Sequence, residues 1–404
     1  MSSGTTGQLI AQARRRRGLS QAVLAGLVGR SESWLSQVER GKRGVDSFTV
    51  LKRLAAVLRI DVEELARAAA GSSEESAGMY TESQLIEQAM MRYDSVSASI
   101  ARDDPQHAVS IGHLGAMAHS AYEGYQATRY EATGQLLPGL IRDVETASRV
   151  AGIADPAVCR VRALVYDVAA ALLNRVGEPA LAWAAADRAM SAAECSGEPV
   201  LAALGAWRLS YVVTSRKHPR EALDLAMSAA DALERTMRTP SPEQLSVYGA
   251  LHLAASTAAA AVYDGPMTAT LLVKARGIAE RTGDANHLGT AFGHMNVTIH
   301  TIATSLQLGD AKTAVEMGEA LDPAAIPAGL VGRRTQVSLD LARAYTIRRQ
   351  DAAAVNLLLA AERLSPQLIR YDQRTREVLT ELLRREHRPS TPGLRPLAHR
   401  AGVI

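Results

Sequence analysis

Cysteine is almost missing from this chain: Cys159 and Cys195 are the only two in 404 residues. They lie 36 positions apart with neither a CxxC spacing nor a histidine partner motif, which argues against a disulfide framework and a zinc site. Both are expected to be small core residues in a reducing cytoplasm. Aromatic residues make up only 4% of a chain that is 47% hydrophobic, so the interior must be built from Ala, Leu and Val. That mixture favours helix over strand and predicts an all-α protein. No apolar run approaches 18 residues, and the opening MSSGTTGQLIAQARRRR lacks the basic-then-apolar order of a secretory signal. No membrane association is expected. No nucleophile elbow, phosphate-cradling loop or dinucleotide fingerprint occurs, so no enzyme and no cofactor is supported. His287, His294 and His300 contain no i, i+4 pair and no carboxylate joins them, which speaks against a metal.

What is present is an uneven distribution of charge over a chain long enough for two or three units or one extended array. The net charge is +3, yet residues 1–71 carry 12 Arg and Lys against 6 Asp and Glu, a net +6 that leaves −3 for the remainder. A basic head on a mildly acidic body is the asymmetry expected when only the head approaches a polyanion.

Within the head, apolar residues recur at helical spacing in five short bursts: LIAQARRRRG, SQAVLAGLVG, SESWLSQVERG, SFTVLKRLAAVL and DVEELARAAAG. Ser20, Ser31, Ser47 and Asp61 stand at N-cap positions, Asp61 and Glu64 have capping-box spacing, and Gly18, Gly29 and Gly41 suit left-handed C-terminal caps. The short GRS turn between the second and third helices sets them at a steep angle. Leu24, Val28, Leu35, Val38, Leu51, Leu54 and Leu58 should face inward, leaving Glu32, Ser33, Ser36 and Gln37 outward on the third helix. Polar side chains in that position reach base edges.

The run TGQLIAQARRRRGLSQAVLAGLVGRSESWLSQVERGKRG, followed by FTVLKRLAAVLRIDVEEL, closely resembles the XRE (Cro/repressor-like) helix-turn-helix family over about 65 residues. The matching points are GLSQ, the LA of the second helix, LSQVERGKR and the fourth-helix KRLA. The resemblance implies base reading by Glu32, Ser33 and Gln37, and phosphate contacts from Gln21, Arg30, Ser31, Lys42 and Arg43. It also implies a structural ion pair between Arg14 and Glu39. Arg30 departs from the small or apolar residue usual in that turn, and Glu32 accepts from cytosine but repels phosphate. The other arginines of the RRRR run read as a solvated helix face, and Trp34 as a packing residue. One head offers few contacts, so a homodimer on a pseudo-palindromic DNA site is expected.

Residues 71–79, GSSEESAGM, read as a flexible connector, dividing the chain into a 1–71 DNA-binding domain, a 72–80 linker, an 81–386 repeat domain and a basic, Pro-containing 387–404 tail expected to be disordered. In the body, helix breaks recur at Gly177, Lys217, Gly265, Gly309 and Arg349, in steps of 40, 48, 44 and 40. Small residues seven apart, Ala182/Ala189, Ala222/Ala229 and Ala354/Ala361, permit close backbone approach. The pattern resembles stretched tetratricopeptide repeats over roughly 105–365, with 80–104 and 366–386 as capping helices; the expected fold is an α-solenoid with a concave face. Placing each first helix by its distance from the turn gives a candidate lining of His119, Tyr122, Asp167, Trp207, Arg208, Tyr211, His252, Tyr263, Asn296, His300, Asp340 and Arg343. Each of these has a competing reading as a repeat-packing residue.

The two parts together resemble XRE-plus-tetratricopeptide regulators of Gram-positive bacteria, several of which sense secreted peptides. The resemblance implies a cytoplasmic, dimeric transcriptional regulator that binds double-stranded DNA and receives a peptide or small-molecule signal. The alternative is a scaffold or adapter whose repeats dock partner proteins.

Overall fold

The computed structural model describes residues 6–40, 45, 48–60, 65, 80–91, 110–152 and 154–404. The expectations placed on Gly41, Lys42, Arg43, Ser47, Asp61, Glu64, the 71–79 connector and most of the fifth head helix lie outside these residues. The chain divides into two compact units, Met1–Met79 and Tyr80–Ile404.

The first unit holds α1 (Thr6–Arg16), α2 (Gln21–Leu27), α3 (Glu32–Glu39) and α4 (Phe48–Leu58). Ser20 and Ser31 act as N-caps, accepting from the backbone N–H of Val23 and Trp34 at 3.1 and 3.2 Å. Such caps each contribute about 1 kcal/mol. Leu24, Val28, Leu35, Val38, Leu51, Leu54 and Leu58 are all buried together with Ile10. Gly7 lets the start of α1 meet the end of α3, since a Cβ there would lie 2.3 Å from the Val38 carbonyl oxygen.

The second unit is a stack of antiparallel hairpins. After α5 (Glu82–Met91) come α6 (Ile111–Gln126) with α7 (Tyr130–Ala151), α8 (Pro156–Arg175) with α9 (Pro179–Cys195), and α10 (Pro199–Ser215) with α11 (Pro219–Glu234). Then follow α12 (Pro242–Ala261) with α13 (Gly265–Thr282), α14 (His294–Gln307) with α15 (Ala311–Ala320), and α16 (Val331–Ile347) with α17 (Asp351–Leu364). This is a tetratricopeptide-like α-solenoid. First helices pack on one another along the stack, α8 on α10, α10 on α12, α12 on α14 and α14 on α16. Proline opens each helix from α8 to α11, and opens α12 behind a Ser241–Gln244 capping box, where a missing N–H costs nothing.

One device closes every hairpin turn. Thr128, Gly177, Lys217, Tyr263, Gly309 and Arg349 have φ of 59°, 87°, 69°, 61°, 91° and 62°. In each case the following N–H donates to the carbonyl five residues before it, as Asp264 N does to Ala259 O at 3.0 Å and Gln350 N to Tyr345 O at 2.9 Å. This is the Schellman closure of a helix C-terminus. Gly265, the residue chosen from the sequence as the third equivalent, instead opens α13, and the turn residue is Tyr263 two positions earlier. Of the small pairs, Ala229 is only half-buried, and Ala226 and Ala230 take the inward positions beside Ala222.

The last hairpin returns to the first. Ser365 donates to Thr128 Oγ1 at 2.8 Å, Glu131 N donates to Gln367 at 3.0 Å, and the rings of Tyr80 and Tyr371 meet edge to face at 5.2 Å. Here α18 (Pro366–Tyr371) and α19 (Gln373–Arg384) follow α17. The expected disordered tail is corrected: α20 (Leu394–Arg400) buries Leu394 and Leu397, together with its C-cap residue Ala401, in the same core as α19. Three apolar residues at helical spacing outweigh the prolines before them. A second correction concerns the cysteines, which are paired as a disulfide between α8 and the end of α9 across a Cα–Cα distance of 5.8 Å. The hairpin brings two distant positions within the span such a bond requires.

Between α13 and α14 the regular turn gives way to the longer segment 283–293. Phe292 anchors it, its ring filling the space over Gly249 of α12, where an added Cβ would sit 2.0 Å from Cζ. Gly249→Ala should therefore destabilise the body by about 1–3 kcal/mol through overpacking. A thermal melt indistinguishable from wild type would contradict this placement of Phe292.

Candidate functional site

The first candidate surface is the outward face of α3. Its inner side is fixed by Trp34, Leu35 and Val38, all buried. Its C-terminal end is clamped: Arg14 Nε and Nη2 donate to the two Glu39 carboxylate oxygens at 2.6 and 2.9 Å, Arg14 Nη1 donates to Leu19 O at 2.8 Å, and Gln21 Nε2 donates to Glu39 Oε2 at 2.7 Å. The carboxylate thus ties α1, α2 and α3 together, and Arg15, Arg16 and Arg17 remain exposed. Burial alone would push Glu39 upward, but the hydrogen bonds of Arg14 and Gln21, with the Arg14 charge, hold it below the usual carboxylate range.

A lowered folded value means that the stabilisation is fully present above the unfolded value near ~4.3 and is lost as pH falls through the folded one. Glu39→Ala should cost the head about 1–3 kcal/mol, because it leaves the largely covered Arg14 guanidinium and the Gln21 amide without their shared acceptor. Hydrogen exchange of the α1 and α3 amides in the full chain reads it out. Unchanged protection would show the clamp to be idle.

Glu32 and Ser33 are exposed and Gln37 is half-buried. Glu32 lies in the first turn of α3, where a negative charge favours the helix dipole. Ser31 is committed to its cap, while Arg30 is exposed with its guanidinium 5.5 Å from the centre of the Trp34 ring. Lys42 and Arg43, expected at the same surface, are outside the described residues.

The second candidate is the inner face of the solenoid, where many of the lining residues are already bonded to one another. Arg208 Nε and Nη2 donate to the Asp167 carboxylate at 2.8 and 3.1 Å, and Nη2 also donates to Tyr122 Oη at 2.8 Å. The Arg208 guanidinium lies 4.5 Å from the buried Trp207 ring. Tyr211 reaches His300 Nε2 at 3.4 Å, and Thr257 contacts His300 Nδ1 at 3.2 Å. Burial, then the positive charge of Arg333, pushes His300 down to about 3, so its imidazole is neutral. Burial pushes Asp340 up to about 6, with Gln336 donating to one oxygen at 3.1 Å.

Three residues of the expected lining stand outside this network. The His119 side chain is 79% exposed beside Glu123, and Tyr263 is a turn residue 73% exposed. His252 is fully buried but apart from the network: its Nδ1 meets Tyr248 O at 2.8 Å and its ring stands edge-on to Tyr248. Counting back from a turn fixes the level of a residue along its helix but not the face it occupies. Arg343 is half-buried on α16. Sequence reasoning passed over Tyr125, Thr257 and Arg333, whose importance depends on neighbours from other hairpins.

Residues 6–68 match the family profile described as a helix-turn-helix domain. The chain is 41% identical over 63 residues to an uncharacterised HTH-type transcriptional regulator, RghRB, of Bacillus subtilis (strain 168). That stretch covers 16% of this chain and 45% of the relative, so less than half of the relative's length is matched. Among solved structures, Bacillus thuringiensis PlcR in complex with the peptide PapR7 and DNA aligns over 87% of this chain and 99% of its own, with 14% identity and a TM-score of 0.34.

Proposed function

We propose, from the premise that a helix-turn-helix domain is joined to a tetratricopeptide-like solenoid, that this chain is a sequence-specific DNA-binding transcriptional regulator. The observation that carries the reading is the presentation of α3: Trp34, Leu35 and Val38 are buried, Glu39 is clamped by Arg14 and Gln21, and Glu32, Ser33 and Gln37 lie on the other side. A helix held rigidly along one face and at one end is preorganised to enter a major groove.

In this reading Gln37 and Ser33 read base edges and Glu32 accepts from a cytosine amino group. Arg30, and Lys42 with Arg43, neutralise phosphates on either side, and Gln21 braces the reading helix while approaching the backbone. The protein works as a homodimer in the cytoplasm, because one short helix supplies too few contacts for operator specificity. The body holds the pair and receives a peptide or small-molecule signal. A ligand preferring one curvature of the solenoid shifts the population of head spacings and so the DNA affinity. It performs no catalysis of its own.

Genome-wide capture of DNA bound by the full chain, with and without culture extract, tests this. Discrete sites sharing a two-fold-related motif support the reading, and uniform recovery of the genome removes it.

A further inference from the structure

The segment 283–293, helix α14 and the approach to α16 enclose a cavity whose polar groups the interior network leaves unused. Asn296 is 4% exposed, faces this cavity, and has a buried side-chain oxygen without a hydrogen-bond partner. A buried amide oxygen left unpaired costs about 1–3 kcal/mol, so it calls for an explanation. Across the same cavity stands Arg333, half-buried and without an ion pair to any carboxylate among the described residues. The groups on which its charge acts, Tyr125, Tyr130, Tyr211 and His300, include no carboxylate. Asp284 also lines the space, but its Oδ1 accepts from the Met295 N–H at 3.0 Å. Ala291, Ile326 and Leu330 make the remaining wall apolar.

We propose that this cavity is the seat of a ligand's carboxylate next to an amide, with Arg333 pairing the carboxylate and Asn296 accepting from the amide N–H. A guanidinium in an apolar, partly dehydrated wall favours a planar carboxylate that it can grip through two parallel N–H bonds. The free C-terminus of a peptide and an N-acyl amino acid both carry this pair of groups. The proposal rests on the reading of the body as a signal receiver and names the chemistry of the signal.

The segment over the cavity is the wall that a ligand would have to shift. In the present closed form the space is about 20 Å3, room for one water-sized group, so a ligand must displace residues 283–293. The segment is tied to α6 by four bonds: Tyr122 Oη and Gln126 Nε2 donate to Gly289 O at 3.1 and 2.9 Å, Gln126 Nε2 also donates to Asn286 Oδ1 at 3.2 Å, and Asn286 Nδ2 donates to Gln126 Oε1 at 2.8 Å. Leu288 and Ala291 hold φ of 49° and 52°, a left-handed conformation costly for residues with a Cβ. Opening would relieve that cost and release α6, linking occupancy of the cavity to closure of the stack.

The test incubates the full-length protein, without DNA, with a pool of random hexapeptides bearing free C-termini, the same pool amidated, N-acetylated amino acids, and inorganic phosphate as an anion control, and weighs what is retained. Wild type should retain free-carboxylate species at least about tenfold over amidated ones, and Arg333→Gln and Asn296→Ala should each lose about tenfold or more, with partial recovery in Arg333→Lys. Retention of peptides alone assigns the site to a peptide C-terminus, and retention of the N-acetylated amino acids as well assigns it to small acyl amino acids. Equal retention of both pools, indifference to Arg333→Gln, competition by phosphate, or no retention at all overturns the proposal. Arg333 forms no ion pair among the described residues, so its replacement should leave the melting temperature unchanged. Failure here would leave DNA recognition by the head standing, and failure of DNA binding would leave this result standing.

Discussion

Replacing Gln37 and Ser33 together by alanine should abolish discrimination between operator and random DNA while leaving the protein folded. A side chain pairing with a base edge contributes about 1–3 kcal/mol of discrimination, so the double change should weaken operator binding about 10- to 100-fold or more. Neither residue is buried, and neither belongs to the Arg14–Gln21–Glu39 clamp that positions α3. Helicity and melting should therefore match wild type. Binding to random DNA should persist with an unchanged salt dependence, because the phosphate contacts fall to other side chains. Competition binding at two salt concentrations separates these terms. A variant that keeps its operator preference would move base reading away from α3, and one that loses random and operator binding equally would point to a collapsed head.

The second large effect belongs to the body. Arg208→Met should lower its stability by about 3–5 kcal/mol, because it strands the Asp167 carboxylate in an interior where both partners are almost fully covered. For a unit of this size that is a fall of roughly 10 °C in melting temperature. Asp167→Leu with Arg208→Met should recover much of the loss, since removing both charges leaves nothing unpaired. The contrast between single and double variants is the informative quantity. If Arg208→Met were neutral, the guanidinium would be uncommitted and available to a ligand, the role first expected of it from its place on the concave face.

The head was legible because its boundaries are written twice, by a serine that caps and by a glycine that turns: Ser20 after Gly18, Ser31 after Gly29. The interior of the body was legible only in part. Lys217, Tyr263 and Arg349 take the left-handed turn positions that glycine fills elsewhere, so the turn chemistry leaves no compositional trace and the third break was misplaced by two residues. Arg208 meets Asp167 41 positions away, and Cys159 meets Cys195 at 36, because hairpin stacking sets those distances and local spacing does not. Arg333 was passed over since it stands at the start of α16, just after the 321–330 connection, whose length follows no repeat. The tail from 387 to 404 looked polar and Pro-broken, yet Leu394 and Leu397 found a groove that only the completed stack creates.

The account depends most on α3 entering the wide groove of duplex DNA. The direct measurement is chemical cross-linking of a Ser33→Cys chain to a selected operator carrying a thiol tether on a cytosine N4 or an adenine N6, atoms that lie in the major groove, with the wild-type chain as the control for Cys159 and Cys195. A cross-link confined to Ser33→Cys and to one or two positions in each half-site is the result expected. Tethers in the minor groove that react as well or better, or a Ser33→Cys chain no more reactive than wild type, would contradict it.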